Sequence, residues 1–243
     1  MGLTSTTSPT TKTLNNTNDA SSLPIIFILL GEIFSRHPTK FAATQFCLFS
    51  LGFAFSVVVD HLQKEHDVTR YPADSTLLLS TASWIPFTCG IAACGVGTLY
   101  PWMDVWCTGK PHVVKQEWSS VLRCCGGFIG VNYAASKLPW TSSAQVSITL
   151  ALLALGLWFI FDRTLHGFFF SLVISVVGTI IVQLFVAHGV YSYTRADFFG
   201  VRSWFPCVLY ASCICFGSIG RQLSVVPDIQ YLIKKLGAGS KLE

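Results

Sequence analysis

The stretch Gln145-Val-Ser-Ile-Thr-Leu-Ala-Leu-Leu-Ala-Leu-Gly-Leu-Trp-Phe-Ile-Phe161 decides the fold. It carries no charged residue. Crossing the hydrocarbon of a bilayer takes about 20 apolar residues, so this run nearly spans a membrane. Lipid offers no partner to backbone N–H and C=O groups, so the run must be a helix. Asp162-Arg163-Thr164 interrupts it, and a second run follows at Phe168–His188. Outward from this pair, comparable runs lie at Phe41–Val59, Leu77–Tyr100, Trp118–Ala135 and Ser203–Leu223. The alternating pattern of a barrel is absent. The predicted fold class is all-α, a six-transmembrane-helix bundle with a disordered N-terminal tail.

Composition agrees. The 243 residues are 51% hydrophobic and only 12% charged, where soluble domains carry roughly 25% charge. Mean hydropathy is +0.55. A soluble body of this size lacks the ionic groups to cover its surface. The net charge of +4 is small and scattered, which argues against nucleic acid as a partner. The nine cysteines lie mostly in apolar runs without paired metal spacing. They read as buried small hydrophobes, and no metal site is expected.

Three regions follow. Residues 1–40 are a disordered or interfacial cytosolic arm, rich in Ser, Thr and Asn up to position 23, with a short apolar patch at Pro24–Phe34. Residues 41–223 form the six-span membrane domain. Residues 224–243 are a cytosolic tail, in which Gly237–Glu243 read as an appended expression scar. With six spans both termini share a side, and that side holds ten Lys and Arg against five in the opposite loops. The positive-inside rule makes it cytosolic. Trp102, Trp106, Trp118, Trp140, Tyr191, Tyr193 and Trp204 fall near span ends, as interfacial aromatics do.

The span centres are almost free of ionisable groups, and such groups mark pumps and proton paths. Asp60, Asp104, Asp162 and Asp197 sit at or beyond span ends. No catalytic motif is visible, so no enzyme activity and no cofactor are expected. A lipid or small-molecule transporter remains the alternative. It requires broken helices in matching halves, and one break, at Pro86, is expected in the second span.

The third span places Gly126, Gly130 and Ala134 at intervals of four, which suits close helix packing or a flat apolar ligand. Ala93 and Gly97 repeat the spacing in the second span, and Gly217 and Gly220 close the sixth. Gln145 and Thr149 share a helix face. Gln145 suits either a cap at the membrane surface or a partner for a hydroxyl. Trp158 and Asp162 lie on another side of that helix. Asp162 and Arg163 read as a solvated turn with an exposed ion pair, or as a docking point.

Several segments together resemble one family. They are Leu99-Tyr-Pro-Trp-Met-Asp104, Gln116-Glu-Trp-Ser-Ser-Val-Leu-Arg-Cys124, Gly130-Val-Asn-Tyr-Ala-Ala-Ser-Lys137, Gly156-Leu-Trp-Phe-Ile-Phe-Asp-Arg163, Val201-Arg-Ser-Trp-Phe-Pro-Cys207 and Gly217-Ser-Ile-Gly-Arg-Gln-Leu223. Their order and content are similar to the Insig (insulin-induced gene) family of endoplasmic-reticulum proteins, from about Asp60 to Leu223. The resemblance implies a multi-pass sensor of oxysterols, 25-hydroxycholesterol above all. In the sterol-bound form it holds Scap, the escort of the sterol regulatory element-binding proteins. It also links HMG-CoA reductase to a membrane-bound ubiquitin ligase. The family's sterol-contacting positions fall on Phe128 and Gln145, with Thr149 nearby, and its Scap-binding positions on Trp158 and Asp162. Lys115 is the lysine kept in the family's modifiable second loop. Tyr133 stands where a His is expected.

A sterol is a flat apolar body with a polar end. The Gly126 and Gly130 ridge would take the flat face, Phe128 would stack on rings, and Gln145 would bond one hydroxyl. A sterol shared with Scap would couple the two binding events reciprocally. Membrane lipid is the remaining expected partner.

Overall fold

Fourteen of the residues in Ser143–Phe161 are large apolar or alanine side chains, and in a computed structural model this segment is one continuous helix. The structure describes residues 38–72, 77–78, 81–108, 117–137 and 142–224. The N-terminal arm before Pro38, the loop with Lys110 and Lys115, Trp140 and the C-terminal tail lie outside the described residues.

Among the described residues there are six helices: α1 (Pro38–Glu65), α2 (Trp84–Thr108), α3 (Trp118–Lys137), α4 (Ser143–Phe161), α5 (Leu165–Ala187) and α6 (Phe205–Leu223). Four two-residue strands accompany them: β1 (Thr69–Arg70), β2 (Leu77–Leu78), β3 (Thr81–Ala82) and β4 (Ser192–Tyr193). α1, α4 and α5 are long and apolar enough to cross a membrane.

α6 is the axis. Most of its length is buried, and it packs against α2, α3, α4 and α5. α1 lies mainly on α2. α4 and α5 rest chiefly on α6 rather than on one another. Small residues set the closest approaches, because without a hydrophobic drive between helices in lipid, close van der Waals contact must hold them. A Cβ on Gly52 would sit 2.5 Å from Ala93, and one on Gly97 would sit 2.6 Å from Leu48.

Two expectations are corrected here. Pro86 does not break its helix. α2 begins at Trp84, so Pro86 occupies the first turn, where a missing N–H costs nothing. The preceding apolar residues form the antiparallel pair β2–β3 instead of helix. The proline inside α2 is Pro101. Lacking N–H, it leaves the carbonyl of Gly97, one turn earlier, without its helical donor. Gly220 of α6 lies directly over that oxygen: a Cβ there would come within 1.9 Å. The second correction concerns Tyr191, Tyr193 and Trp204, which are buried within the protein. The two tyrosines pack under the β1–β4 pair with Trp84 and Phe185. Burial pushes the Tyr191 hydroxyl up to about 12. Trp106 and Trp118 are exposed, as expected.

Candidate functional site

The residues expected to meet a sterol occupy two faces. Gly126 and Gly130 are exposed, and a Cβ on either would meet nothing within 4 Å. The same four-residue spacing that closes Gly97 against α1 thus leaves an open ridge on α3. Phe128 points the other way, as a step of two helical residues dictates. It is buried against Phe55, which packs in turn on Phe216 of α6. A Cβ on Gly127 would lie 3.4 Å from Leu157 of α4, so this part of α3 faces that part of α4. Gln145 lies twelve residues before Leu157, about 18 Å along the helix at 1.5 Å per residue. Gln145 and the part of α3 that holds Phe128 are therefore well separated along α4. The helix cap is Ser142, whose Oγ accepts the backbone N–H of Gln145 at 3.3 Å. The Gln145 side chain is exposed and Thr149 half-buried.

Trp158 and Asp162 lead to a cluster that sequence reasoning missed. The Asp162 side chain is only 1% exposed, so it does not sit in a solvated turn, and its partner is Arg221 rather than Arg163. Arg221 comes from the last turn of α6 and is itself 4% exposed. Its Nε and Nη2 donate to the two carboxylate oxygens of Asp104 in α2, each at 2.7 Å. Its Nη1 donates to Asp162 Oδ1 at 2.5 Å. The Tyr100 hydroxyl donates to Asp162 Oδ2 at 2.5 Å, and its ring lies 4.6 Å from the guanidinium. The imidazole of His166 meets Asp104 at 2.5 Å, and Thr164 Oγ1 donates to Asp162. Four segments are thus tied at one end of the bundle: the end of α2, the α4–α5 turn, the start of α5 and the end of α6.

Local sequence makes the tie possible. Gly167 is required, since a Cβ there would sit 2.0 Å from Asp162 Oδ2. Gly217 lets the Tyr100 ring lie on α6, where a Cβ would approach it to 2.6 Å. Trp158 Nε1 donates to the Thr164 carbonyl at 3.0 Å and so braces the turn from α4. Two charges of one sign around a guanidinium are costly to bury unless every lone pair is engaged, and here Asp104 and Asp162 use both oxygens. The chemistry of this cluster is structural: the carboxylates are locked by donors and present no open position to a substrate.

Opposite this end, Tyr71 donates to buried Asp60, and Asp197 accepts from the Ser203 N–H and hydroxyl at 2.7 and 2.9 Å. Partial burial of Asp197 works against its charge. Hydrogen bonds from Ser143 and Ser203 outweigh that and hold its carboxyl below the ordinary range.

An axial helix wrapped by long apolar helices, with glycine-mediated crossings and an ionic tie at one end, is the architecture of a multi-pass membrane protein. A sequence model described as insulin-induced protein (INSIG) matches residues 43–224, and the chain belongs to that family. It is 42% identical over 196 residues to the insulin-induced gene 1 protein of Danio rerio, covering 80% of this chain and 78% of that one. It is 45% identical over 192 residues to the insulin-induced gene 2 protein of Gallus gallus, covering 79% and 85%. In structure it is similar to a mycobacterial Insig homolog from Mycobacterium vanbaalenii, with a TM-score of 0.66, 18% identity, and coverage of 74% and 94%. That likeness concerns the fold alone.

Proposed function

We propose that this chain is an oxysterol-responsive retention adaptor of the endoplasmic reticulum membrane, with six spans and both termini in the cytosol. It binds 25-hydroxycholesterol or a related oxysterol. In that state it holds Scap, and it brings HMG-CoA reductase to a membrane-bound ubiquitin ligase. It acts by contact, without catalysis. The observation that carries this reading is membership of the insulin-induced protein family over residues 43–224, a range that contains every candidate residue.

Geometry adds a physical reason. Gly126, Gly130 and Gln145 are all exposed on the outer surface. A flat lipid on that surface leaves one of its own faces bare, and a partner helix can cover it. Sterol and partner then share contacts and strengthen each other's binding equally. Phe128 supports the ridge from behind, held by Phe55. Gln145 offers both donor and acceptor to one hydroxyl at the membrane surface.

Equilibrium binding of tritiated 25-hydroxycholesterol to the purified chain in nanodiscs tests the reading. Saturable binding, displaced by unlabelled oxysterol but weakly by cholesterol, is expected. Absence of saturable binding refutes it.

A further inference from the structure

We propose that Cys125 of α3 and Cys215 of α6 form an oxidative modification site, at which a lipid hydroperoxide turns the thiol pair into a disulfide that ties α3 to the axial helix. The thiol geometry stands by itself; the choice of a lipid-borne oxidant rests on the six-span reading above.

All nine cysteines are free thiols. Three of them converge where α3 packs on α6. Cys215 donates its S–H to the sulfur of Cys125, the two sulfurs being 3.6 Å apart, and it also bonds Cys124. Cys125 and Cys215 are 90 residues apart in the chain, so packing and not local sequence brings them together. A disulfide needs its sulfurs at about 2.05 Å. Sulfurs already in contact are within a side-chain rotation of that distance.

The thiols are unequal. Cys124 and Cys215 are fully buried. Cys125 is half-buried and lies beside exposed Leu122 and Gly126 on the outer face of α3. An oxidant arriving from outside therefore meets Cys125 first, and Cys215 stands behind it as the resolving thiol. The attacking sulfur carries negative charge. The hydrogen bond from Cys215 offsets that charge as it develops.

The Cys125 sulfur attacks the terminal oxygen of the hydroperoxide, and the O–O bond breaks. The lipid leaves as an alcohol with the Cys125 proton, and Cys125 becomes a sulfenic acid. The Cys215 sulfur then attacks the sulfenic sulfur. The S–O bond breaks, the hydroxyl leaves as water with the Cys215 proton, and the disulfide forms. The thiols supply the electron pair that reduces the peroxide.

The membrane itself carries lipid hydroperoxides, whereas glutathione is a charged peptide that hydrocarbon excludes. Cys125 lies seven residues after Trp118, about 10 Å along α3. Oxidation there outlasts the reductants held in water. Gly126 follows Cys125 directly, so the bridge forms beside the ridge proposed to take the sterol.

The test uses the full chain in nanodiscs, first reduced and then treated with cumene hydroperoxide, a membrane-soluble oxidant. Maleimide labelling after unfolding, read by peptide mass spectrometry, should show Cys125 and Cys215 lost together and joined to each other. Cys124→Ser should keep the bridge. Cys125→Ser should abolish it and leave Cys215 labelled. Full labelling of both thiols in the parent chain, a bridge from Cys215 to Cys124, or sulfinic acid at Cys125 with Cys215 free overturns the site and leaves the six-span reading intact. Glutathione should reduce the bridge only after detergent dissolves the disc. Prompt reduction in intact discs overturns the lipid-borne route and the placement of α3 in the bilayer, while the thiol pair stands.

Discussion

Arg221 holds two buried carboxylates at once, which makes it a sensitive position. Arg221→Met leaves Asp104 and Asp162 without their cation, and breaking such a buried arrangement costs about 3–5 kcal/mol. Thermal unfolding in nanodiscs should show a large drop for this variant. Arg70→Met should show almost none, because its pair with Asp67 is exposed on both sides, where water and salt screen the attraction. Gln145→Ala acts differently. Its side chain is exposed, so the fold should be unchanged while affinity for 25-hydroxycholesterol falls by the about 1–3 kcal/mol of an unmade hydrogen bond. A radioligand titration reads that directly, and unchanged affinity removes Gln145 from the binding site. The tie was not legible in the sequence. Asp104, Asp162 and Arg221 are far apart in the chain, and each sits at the end of an apolar run, where a solvated charge is ordinary. One signal was available: the expected six-span topology would put all three ends on the same side.

At the scale of elements, equal glycine patterns have unequal consequences. Gly220→Ala would drive a methyl group into the Gly97 carbonyl, a backbone atom that cannot swing aside. Overpacking of this kind costs about 1–3 kcal/mol, so the melting point should fall. Gly126→Ala meets open space and gains helix propensity of up to about 1 kcal/mol. The chain should be as stable as before, or more so, while sterol binding weakens where the ridge carries the ligand. Parental stability together with parental sterol affinity would dismiss the ridge. The loop between α5 and α6 should respond to acid. Asp197 has a carboxyl pKa held below its ordinary 3.8, so its ionised form supports the folded loop above that value, and the support is lost as pH falls through the lowered pKa. Protection of the Ser203 amide from hydrogen exchange, taken relative to its intrinsic rate at each pH, should fall on acidification and, at neutral pH, in Asp197→Asn. Helix positions were readable because lipid forces apolar runs to be helical. The start of α2 was not, because Leu77–Ala82 is as apolar as a helix yet pairs as β2–β3. Periodicity likewise does not tell whether a glycine face meets another helix, as Gly97 does, or lipid, as Gly126 does.

At the scale of the whole molecule, α6 binds the other helices into one body. Its last turn carries the ionic tie, and its neighbours α3 and α4 carry the exposed candidate sterol residues. The proposed ligand and partner surfaces therefore share one scaffold, and on the proposed function the two sites strengthen each other. The direct measurement is the dissociation constant of labelled 25-hydroxycholesterol for the purified chain, alone and with saturating Scap membrane domain. Sterol binding should be tighter with Scap present, matched by an equal gain in Scap affinity when sterol is added. Identical sterol affinity with and without Scap would contradict it.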